Sequence, residues 1–343
     1  DSYRKLPEML NERTFKSSHI VDTKLSRFEV YDNLFPSRAD GVNAWVSIMR
    51  GCDKFCTFCI VPFTRGRERS RSNDSILDEV QNAVDAGYSE VTLLGQIVNQ
   101  YGLREFPTVN KKSPFVQLIE KVHEIDGIER IRFTSPHPVG FRNDLIECYG
   151  RLPKLCEYLH FPMQSGSNRI LKAMRRPYTI ERFRKIIEKI RAVRPDVYIS
   201  TDVIVGFPCE TEEDFEELLS FVEETRFDHV SGFIYSPEDG TSAYDLDETV
   251  DEEVKEYRYG RLTQLQERIA TEINDELVGT RQVVLVDLAD EEGVYGRMQR
   301  DAPEIDGQVL IESGRADIGR FVEVAITGAD PYQLQARVVG EPF

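Results

Sequence analysis

Three cysteines lie close together in the sequence and offer thiolates to one centre. Cys52, Cys56 and Cys59 follow the spacing C-x3-C-x2-C, directly after a predicted strand. Three protein thiolates can hold three irons of a four-iron cube and leave the fourth iron open to another ligand. A zinc knuckle is the alternative, but structural zinc sites use paired ligand sets, and no matching C-x2-C or H-x3-H follows. The spacing therefore predicts a 4Fe–4S cluster with one open iron.

An open iron of this kind suits S-adenosylmethionine (SAM), whose amino and carboxylate groups chelate it. An electron from the cluster then breaks a carbon–sulfur bond of SAM and gives a 5′-deoxyadenosyl radical. Phe55 and Phe58, between the cysteines, would supply an apolar shell. The other cysteines, Cys148, Cys156 and Cys209, are scattered through apolar segments. This pattern favours a cytoplasmic protein with metal-binding thiolates over three disulfides.

Composition narrows the function classes. The chain has 343 residues and a formal net charge of −17, which disfavours nucleic-acid binding over the whole surface but leaves room for a local basic patch. No run of about 18 apolar residues is present, so the sequence predicts no membrane span. The first residues are polar and give no secretory signal.

Apolar runs and amphipathic helices alternate from about residue 43. The predicted strands are 43–49, 90–94, 130–134, 158–163, 198–205 and 230–235. Strand–helix repeats indicate a parallel sheet, and six units predict an incomplete (β/α)6 barrel, with reactive residues at the C-terminal ends of its strands. A long helix, 251–277, follows. Residues 278–343 then alternate as short strands, which predicts a small antiparallel β-barrel.

Several segments together resemble the radical SAM methylthiotransferase family: GCDKFCTFCIVPFTRG, LLGQIVNQYG, FTSPHP, FPMQSGSNRILKAMRRPYT and STDVIVGFPCETEEDF. The resemblance covers nearly the whole chain and implies a radical SAM domain over residues 41–277 and a TRAM-like β-barrel over 278–343. Family members attach a methylthio group to an unactivated carbon, with one SAM as radical source and another as methyl donor. An electron donor such as flavodoxin or ferredoxin is implied.

The substrate has two readings within this family. In the predicted (β/α)6 barrel, the sequence motifs most resemble those of members that modify C2 of N6-isopentenyladenosine beside the tRNA anticodon, and we expect this activity. The tail YGRMQRDAPEIDGQVLIE resembles the branch that methylthiolates an aspartate of a small-subunit ribosomal protein. From Val278 onwards the tail has twelve acids against six arginines, which suits a basic protein partner. A non-catalytic RNA-binding protein with a structural cluster is the second alternative.

Three features depart from the family pattern. Members open with a domain that binds a second 4Fe–4S cluster, whereas the first cysteine here is Cys52. We therefore expect residues 1–40 to be a linker and the remnant of that domain, and a chain complete as given to cleave SAM without finishing sulfur insertion. Cys209 stands where glycine is usual, and Ile97 where the tRNA-modifying members usually have asparagine.

The resemblance also implies a set of SAM-binding residues at the strand ends. They are Gly95, Gln96, Gln164, Ser165, Ser167, Arg175, Asp202, Gly206 and Phe207. Structural roles are the alternatives: a strand-end turn at Gly95, a helix N-cap at Ser167 and a buried hydrogen bond at Asp202. His137 would either face the site or be a structural histidine.

Arginines near the predicted barrel mouth are the candidate substrate contacts. We assign Arg65, Arg67 and Arg176 to substrate binding. Together with neighbouring cations and the basic helix 182–194, they would form one positive rim that holds phosphates of an anticodon loop. The alternative is a solvated helix face paired with the abundant acids.

Overall fold

The computed structural model describes residues 3–15, 20–22, 24, 26, 28–32, 41–246, 249–291 and 293–343. Helix α1 (Leu6–Phe15) precedes the two folded units. Much of the predicted linker, residues 1–40, lies outside the described residues.

The first unit is a curved parallel sheet surrounded by helices. Its strands are β1 (Asn43–Ser47), β4 (Glu90–Leu94), β5 (Arg130–Phe133), β6 (Tyr158–His160), β7 (Tyr198–Val205) and β8 (His229–Ile234). A short antiparallel pair, β2 (Met49–Arg50) and β3 (Arg69–Ser70), flanks the cysteine loop. The helices are α2 (Val61–Arg65), α3 (Asn73–Asp85), α4 (Pro114–His123), α5 (Asn143–Arg151), α6 (Asn168–Ala173), α7 (Ile180–Val193), α8 (Glu212–Thr225) and α9 (Glu252–Asp275).

The sheet consists of two parallel triplets, β1–β4–β5 and β6–β7–β8. An isolated parallel bridge between Ile131 and Leu155 joins them. The predicted (β/α)6 barrel is confirmed, with shorter elements than predicted: β6 ends at His160 and the long helix spans Glu252–Asp275. Among the described residues, no helix combines the length and apolar character that a bilayer crossing requires.

Side chains alternate along β7 between the helices and the barrel interior. Ile199, Val203 and Val205 are fully buried in the main apolar core. Ser200 and Asp202, at the alternate positions, make polar contacts across the barrel interior. The core therefore lies between sheet and helices, and the interior of the barrel stays polar.

Helix starts follow their capping residues. Ser72 accepts a hydrogen bond from the Ser75 amide at 3.3 Å and begins α3. Thr211 and Asp214 form a reciprocal capping box at the start of α8, where acidic side chains also favour the helix dipole. These caps set the helix N-termini on the side of the sheet where the parallel strands end.

The second unit is a closed five-stranded barrel with strand order β10–β11–β13–β12–β9. Its strands are β9 (Arg281–Ala289), β10 (Val294–Met298), β11 (Gln308–Ser313), β12 (Phe321–Ala329) and β13 (Gln333–Val338). A small core that includes Val284, Val309 and Val324 fills it. The predicted C-terminal β-barrel is thereby confirmed, but it is not wholly antiparallel, because β11 and β13 pair in parallel.

This small barrel covers the N-terminal ends of the parallel strands. Glu90, the first residue of β4, is fully buried between three arginines. Arg297 of β10 donates to its carboxylate at 2.8 Å, Arg132 lies 3.3 Å away and Arg130 3.8 Å away. Arg130 also donates to the carbonyls of Arg297 and Val283. The two units thus share a buried charged floor, opposite the end where the cysteines lie.

Candidate active site

The cysteine loop lies after β1, at the C-terminal end of the parallel strands. The Cys52 amide donates to the carbonyl of Gly66 at 3.0 Å, which closes the loop. Gly51 has φ +77°, and a Cβ there would lie 2.1 Å from the carbonyl oxygen of Arg67. Only glycine therefore fits at the start of the loop.

The three thiols are free and partly or wholly buried. Burial raises the pKa of Cys52 to about 11, and burial also raises the pKa of Cys59. Such thiols ionise when they bind metal. No group of three or more His, Cys, Asp or Glu side chains within the described ranges is arranged to hold a single metal ion.

Two of the aromatic residues in this loop have different environments. Phe58 packs against a small apolar cluster that includes Ile170 and Phe207. Phe55 is 40% exposed, with φ +48°, and its ring contacts exposed Phe63 with centroids 5.9 Å apart. Phe58 is thus packed into the protein as an apolar shell requires, whereas Phe55 is partly exposed, and its place in such a shell stays a prediction.

Backbone contacts join the cysteine loop to the end of α6. The Thr57 hydroxyl donates to the carbonyl of Ala173 at 3.0 Å, and its amide donates to the carbonyl of Met174 at 3.2 Å. The Ala243 amide donates to the carbonyl of Thr57 at 2.8 Å. The cluster loop and the loop after α6 are thus held as one surface.

The arginines predicted to bind substrate lie in different environments. Arg65 and Arg67 are exposed on the cysteine loop, and Arg67 pairs with Asp53. Arg176 is instead turned inward, and its Nη1 lies 3.5 Å from the Sγ of Cys56. The structure thus places Arg176 against the cysteine loop rather than on the exposed surface, and its assignment to substrate binding stays a prediction.

The predicted positive rim is smaller than the sequence suggests. Arg71 is buried and donates to Glu79 at 2.6 Å. The basic helix α7 lies on the outside of the barrel, where Arg184 pairs with Glu224 and Arg194 with Glu157. Within α7, the acid-paired alternative holds for Arg184, whereas Arg191 donates to the carbonyls of Thr225 and Arg226 and Lys189 donates to the side chain of Asn143.

Close packing against Met49 requires a glycine at position 95, directly after β4. A Cβ there would lie 2.6 Å from the Cγ of Met49. The neighbouring Gln96 has a buried Oε1 atom with no hydrogen-bond partner among the described residues. An unsatisfied buried acceptor is unfavourable unless a ligand or water donates to it, so Gln96 stays a candidate for SAM binding.

The segment after β6 brings Gln164 next to β7 in an unusual backbone conformation. Gln164 has φ +73°, and its amide donates to the carbonyl of Asp202 at 2.7 Å. Ser167 holds the N-cap position of α6 but makes no side-chain cap, because its hydroxyl donates to Asp214 at 2.7 Å. Ser165 accepts from the Ser167 amide at 3.2 Å. Both serines thus have protein partners, and the N-cap hydrogen bond expected at Ser167 is absent.

Asp202 belongs to a chain of polar groups inside the barrel. Its Oδ2 lies 3.1 Å from the Nε2 of His160, whose Nδ1 lies 3.0 Å from the hydroxyl of Ser200. Tyr158 continues the chain, with its hydroxyl 3.0 Å from that of Ser200. His160 was missed at the sequence level, and its period-two register with Tyr158 on β6 is the signal that was available.

The turn after β7 is clamped from α9. The Gly206 amide donates to the Oε1 of Glu210 at 2.9 Å, and Arg258 donates to the same oxygen at 2.8 Å. Gly206 has φ +71°. Phe207 is fully buried, and its ring packs against Tyr235 with centroids 5.5 Å apart. Any SAM contact at Phe207 must therefore come from its backbone.

Arg175 and His137 complete the predicted set. Arg175 is exposed with φ +55°, and its Nη1 lies 3.5 Å from the hydroxyl of Ser242. His137 is buried, and its Nδ1 accepts from the Val139 amide at 3.1 Å, while its Nε2 has no partner among the described residues. Thus cysteines, strand ends and Arg176 meet on one face, whereas Phe207 and both serines are directed into the protein.

Two models of known protein families match this chain. Residues 46–222 match the model of the Radical SAM superfamily, and residues 278–339 match the TRAM domain. Solved structures similar to this chain include the radical SAM methyltransferase TsrM from Kitasatospora setae, at 14% identity over 79% of this chain and 46% of that chain, with a TM-score of 0.49.

Relatives with curated names are much more similar in sequence. A tRNA-2-methylthio-N(6)-dimethylallyladenosine synthase from Acidovorax sp. (strain JS42) is 44% identical over 98% of this chain and 74% of its own length. One of the same name from Opitutus terrae is 51% identical over 87% of this chain and 62% of its own length. The chain belongs to the radical SAM methylthiotransferases, in the family of tRNA-2-methylthio-N(6)-dimethylallyladenosine synthases.

Proposed function

We propose that this protein methylthiolates tRNA, at C2 of N6-isopentenyladenosine beside the anticodon. The radical SAM family uses a 4Fe–4S cluster and SAM, and Cys52, Cys56 and Cys59 would hold that cluster here. The bound pair supplies a carbon-centred radical that removes hydrogen from an unactivated carbon. The protein's own part is to hold the three thiolates, keep the barrel interior polar and bring the base to the strand ends.

The observation that supports an RNA substrate is the positive charge of the cluster face, the surface at the C-terminal strand ends where the cysteines lie. Its exposed or half-buried cations contact no carboxylate in the part of the chain that the structure describes. These cations are Lys54, Arg65, Lys172, Arg175 and Arg182. In a protein with net charge −17, such a group favours a polyanion at this face.

The acidic composition of the C-terminal tail is weak support for a ribosomal-protein substrate, because several of its acids already have partners within the protein. Asp287 pairs with Arg297, and Asp306 accepts from the Ala302 amide at 3.0 Å. Asp301 is buried and accepts from the Met298 amide. The tail also lies at the opposite end of the barrel from the cysteines, so its charge does not face the reacting base.

The proposal includes two further expectations. A low-potential donor such as flavodoxin or ferredoxin would supply the electron, because SAM cleavage consumes one. We place the reaction in the cytoplasm, since the six free cysteines suit a reducing compartment.

A binding experiment separates the two substrate classes. Affinity for an anticodon stem-loop that contains N6-isopentenyladenosine is measured against salt for the wild type and the double variant Arg65→Glu/Arg175→Glu. We expect the variant to bind at least tenfold more weakly, with a salt slope smaller by roughly 0.7 for each lost contact to single-stranded phosphate.

Arg268→Glu, on α9 away from the cluster face, is the matched control. It pairs with Glu223 and Glu272 and should leave RNA affinity unchanged. Equal RNA affinity in the double variant and the wild type would contradict the proposal. Tight salt-dependent binding of a basic ribosomal-protein peptide instead would favour the alternative substrate.

A further inference from the structure

Arg176 is a half-buried arginine held in one orientation next to the cysteine loop. Its Nε donates to the hydroxyl of Tyr178 at 2.9 Å, and its Nη2 donates to the carbonyl of Pro162 at 3.3 Å. The guanidinium carbon also lies 5.0 Å from the centre of the Tyr178 ring. The third donor, Nη1, is directed at Cys56, with 3.5 Å to Sγ. The side chain therefore presents one fixed donor to one of the cluster thiols.

The charge of Arg176 has no acidic partner within the described ranges of the chain. The buried arginines Arg71 and Arg258, by contrast, meet Glu79 and Glu210. Removing a cation from water without supplying a counter-ion is unfavourable. Among the described residues, its hydrogen-bond partners are a phenol, a carbonyl and a thiol, of which only the thiol becomes an anion when it binds iron.

The missing counter-charge matches the chemistry of the cluster. Three thiolates on a 4Fe–4S cluster leave a net negative charge, and reduction adds one more. A fixed positive donor next to a cluster sulfur stabilises the reduced form more than the oxidised form. Hydrogen bonds to cluster sulfurs are one of the protein's means of setting the reduction potential.

We propose that Arg176 is a positioning residue that raises the reduction potential of the cluster by donating to the Sγ of Cys56. This inference rests on the proposed function, because it requires the cluster to be held by the three cysteines. In the step concerned, one electron passes from an external one-electron donor, such as a flavodoxin-type flavin or dithionite, to the cluster. No bond to Arg176 forms or breaks, and its proton stays on the guanidinium.

The test compares the reconstituted wild type with Arg176→Gln, Arg176→Lys and Tyr178→Phe. Iron and sulfide content is measured first, and the midpoint potential is then obtained by an EPR-monitored titration without SAM. We expect Arg176→Gln to keep the cluster and to lower the ratio of reduced to oxidised cluster about tenfold at a fixed potential, a shift of about 59 mV for a one-electron couple. Arg176→Lys should shift the potential less, because it keeps the charge.

The Tyr178→Phe variant protects the test against misfolding of the arginine variants. It keeps the guanidinium but removes the acceptor that holds its Nε, so we expect a smaller shift in the same direction. Arg184→Gln, which removes an arginine on the outer face of α7, is the control and should leave the potential unchanged.

Activity gives a second readout that a merely structural role would not move. SAM cleavage by Arg176→Gln should fall with a flavodoxin donor and recover with an excess of a stronger reductant. An unchanged potential in Arg176→Gln and Tyr178→Phe, with a full cluster, would overturn the inference and leave the proposed function intact. A wild type that assembles no cluster would overturn both.

Discussion

His137 lies close to the cluster face and stays neutral inside the protein. Its Nδ1 accepts a hydrogen bond from the Val139 amide, which places the ring proton on Nε2. Burial, and then the positive charge of Arg176, lower the pKa of His137 from 6.5 to about 2. These contacts support the structural alternative for this histidine, and its Nε2–H, which has no partner among the described residues, is a donor that a ligand can use.

The lowered pKa of His137 predicts a pH dependence of stability. The unfolded chain takes up this proton below pH 6.5, whereas the folded chain does so only near pH 2. The stabilisation is therefore complete above pH 6.5 and is lost as pH falls, by about 2 kcal/mol at pH 5. Urea unfolding at pH 7.5 and pH 5 should show a smaller loss in His137→Gln than in the wild type. Identical losses in the two proteins would contradict the assignment.

The types and spacing of the residues predicted part of the site, but not how its side chains are oriented. The cysteine spacing predicted a cluster loop, and this needs only local sequence. Arg176 was assigned to substrate binding because it lies near the predicted barrel mouth, and the sequence did not indicate that it is half-buried while the neighbouring Arg175 is exposed. The sequence shows that Glu210 is an acid close to Gly206. Its partner Arg258 lies 48 positions further on, so no local pattern predicts that these two residues pair.

At the scale of elements, α9 holds the turn after β7. The carboxylate of Glu210 is buried, and burial raises its pKa, while the Gly206 amide and Arg258 counteract that rise. The first half of the long helix therefore fixes the backbone at Gly206, one of the predicted SAM-binding residues. The strand and helix pattern gave these elements to within a few residues, but not this contact between them.

We expect Arg258→Met to leave the Glu210 carboxylate buried without its cation. The free energy of unfolding should fall by about 3–5 kcal/mol, and SAM should bind more weakly because the turn at Gly206 loosens. Denaturant unfolding and equilibrium dialysis with SAM measure the two effects. The double variant Glu210→Gln/Arg258→Met should lose less stability than Arg258→Met alone. Strict additivity of the two substitutions would rule out the clamp.

At the scale of the whole molecule, the C-terminal barrel closes the floor of the larger barrel. Glu90 is the shared acid for Arg130, Arg132 and Arg297, which come from both units. Composition and periodicity predicted both barrels, but not their docking, because the partners lie up to 207 positions apart. Deleting the residues after Val278 is therefore a poor test of RNA binding, because that deletion would also uncover the arginines of the floor.

Removing the floor carboxylate should therefore affect both units. In Glu90→Gln, three buried arginines lose their common anion, and we expect a loss of about 3–5 kcal/mol in the free energy of unfolding. Scanning calorimetry should show the two units beginning to unfold separately. Glu323→Gln removes an acid from an exposed pair with Arg281 and should cost at most about 1 kcal/mol. Equal effects of the two substitutions would contradict a shared floor.

The most direct test of the whole account follows hydrogen from the substrate into the cofactor product. The anaerobically reconstituted, reduced chain is supplied with SAM and a tRNA whose N6-isopentenyladenosine carries deuterium at C2, and 5′-deoxyadenosine is analysed by mass spectrometry. We predict deuterium in this product with the wild type, and no product with Cys56→Ala. Unlabelled 5′-deoxyadenosine, or none from a wild-type chain with about four irons and four sulfides, would contradict the account.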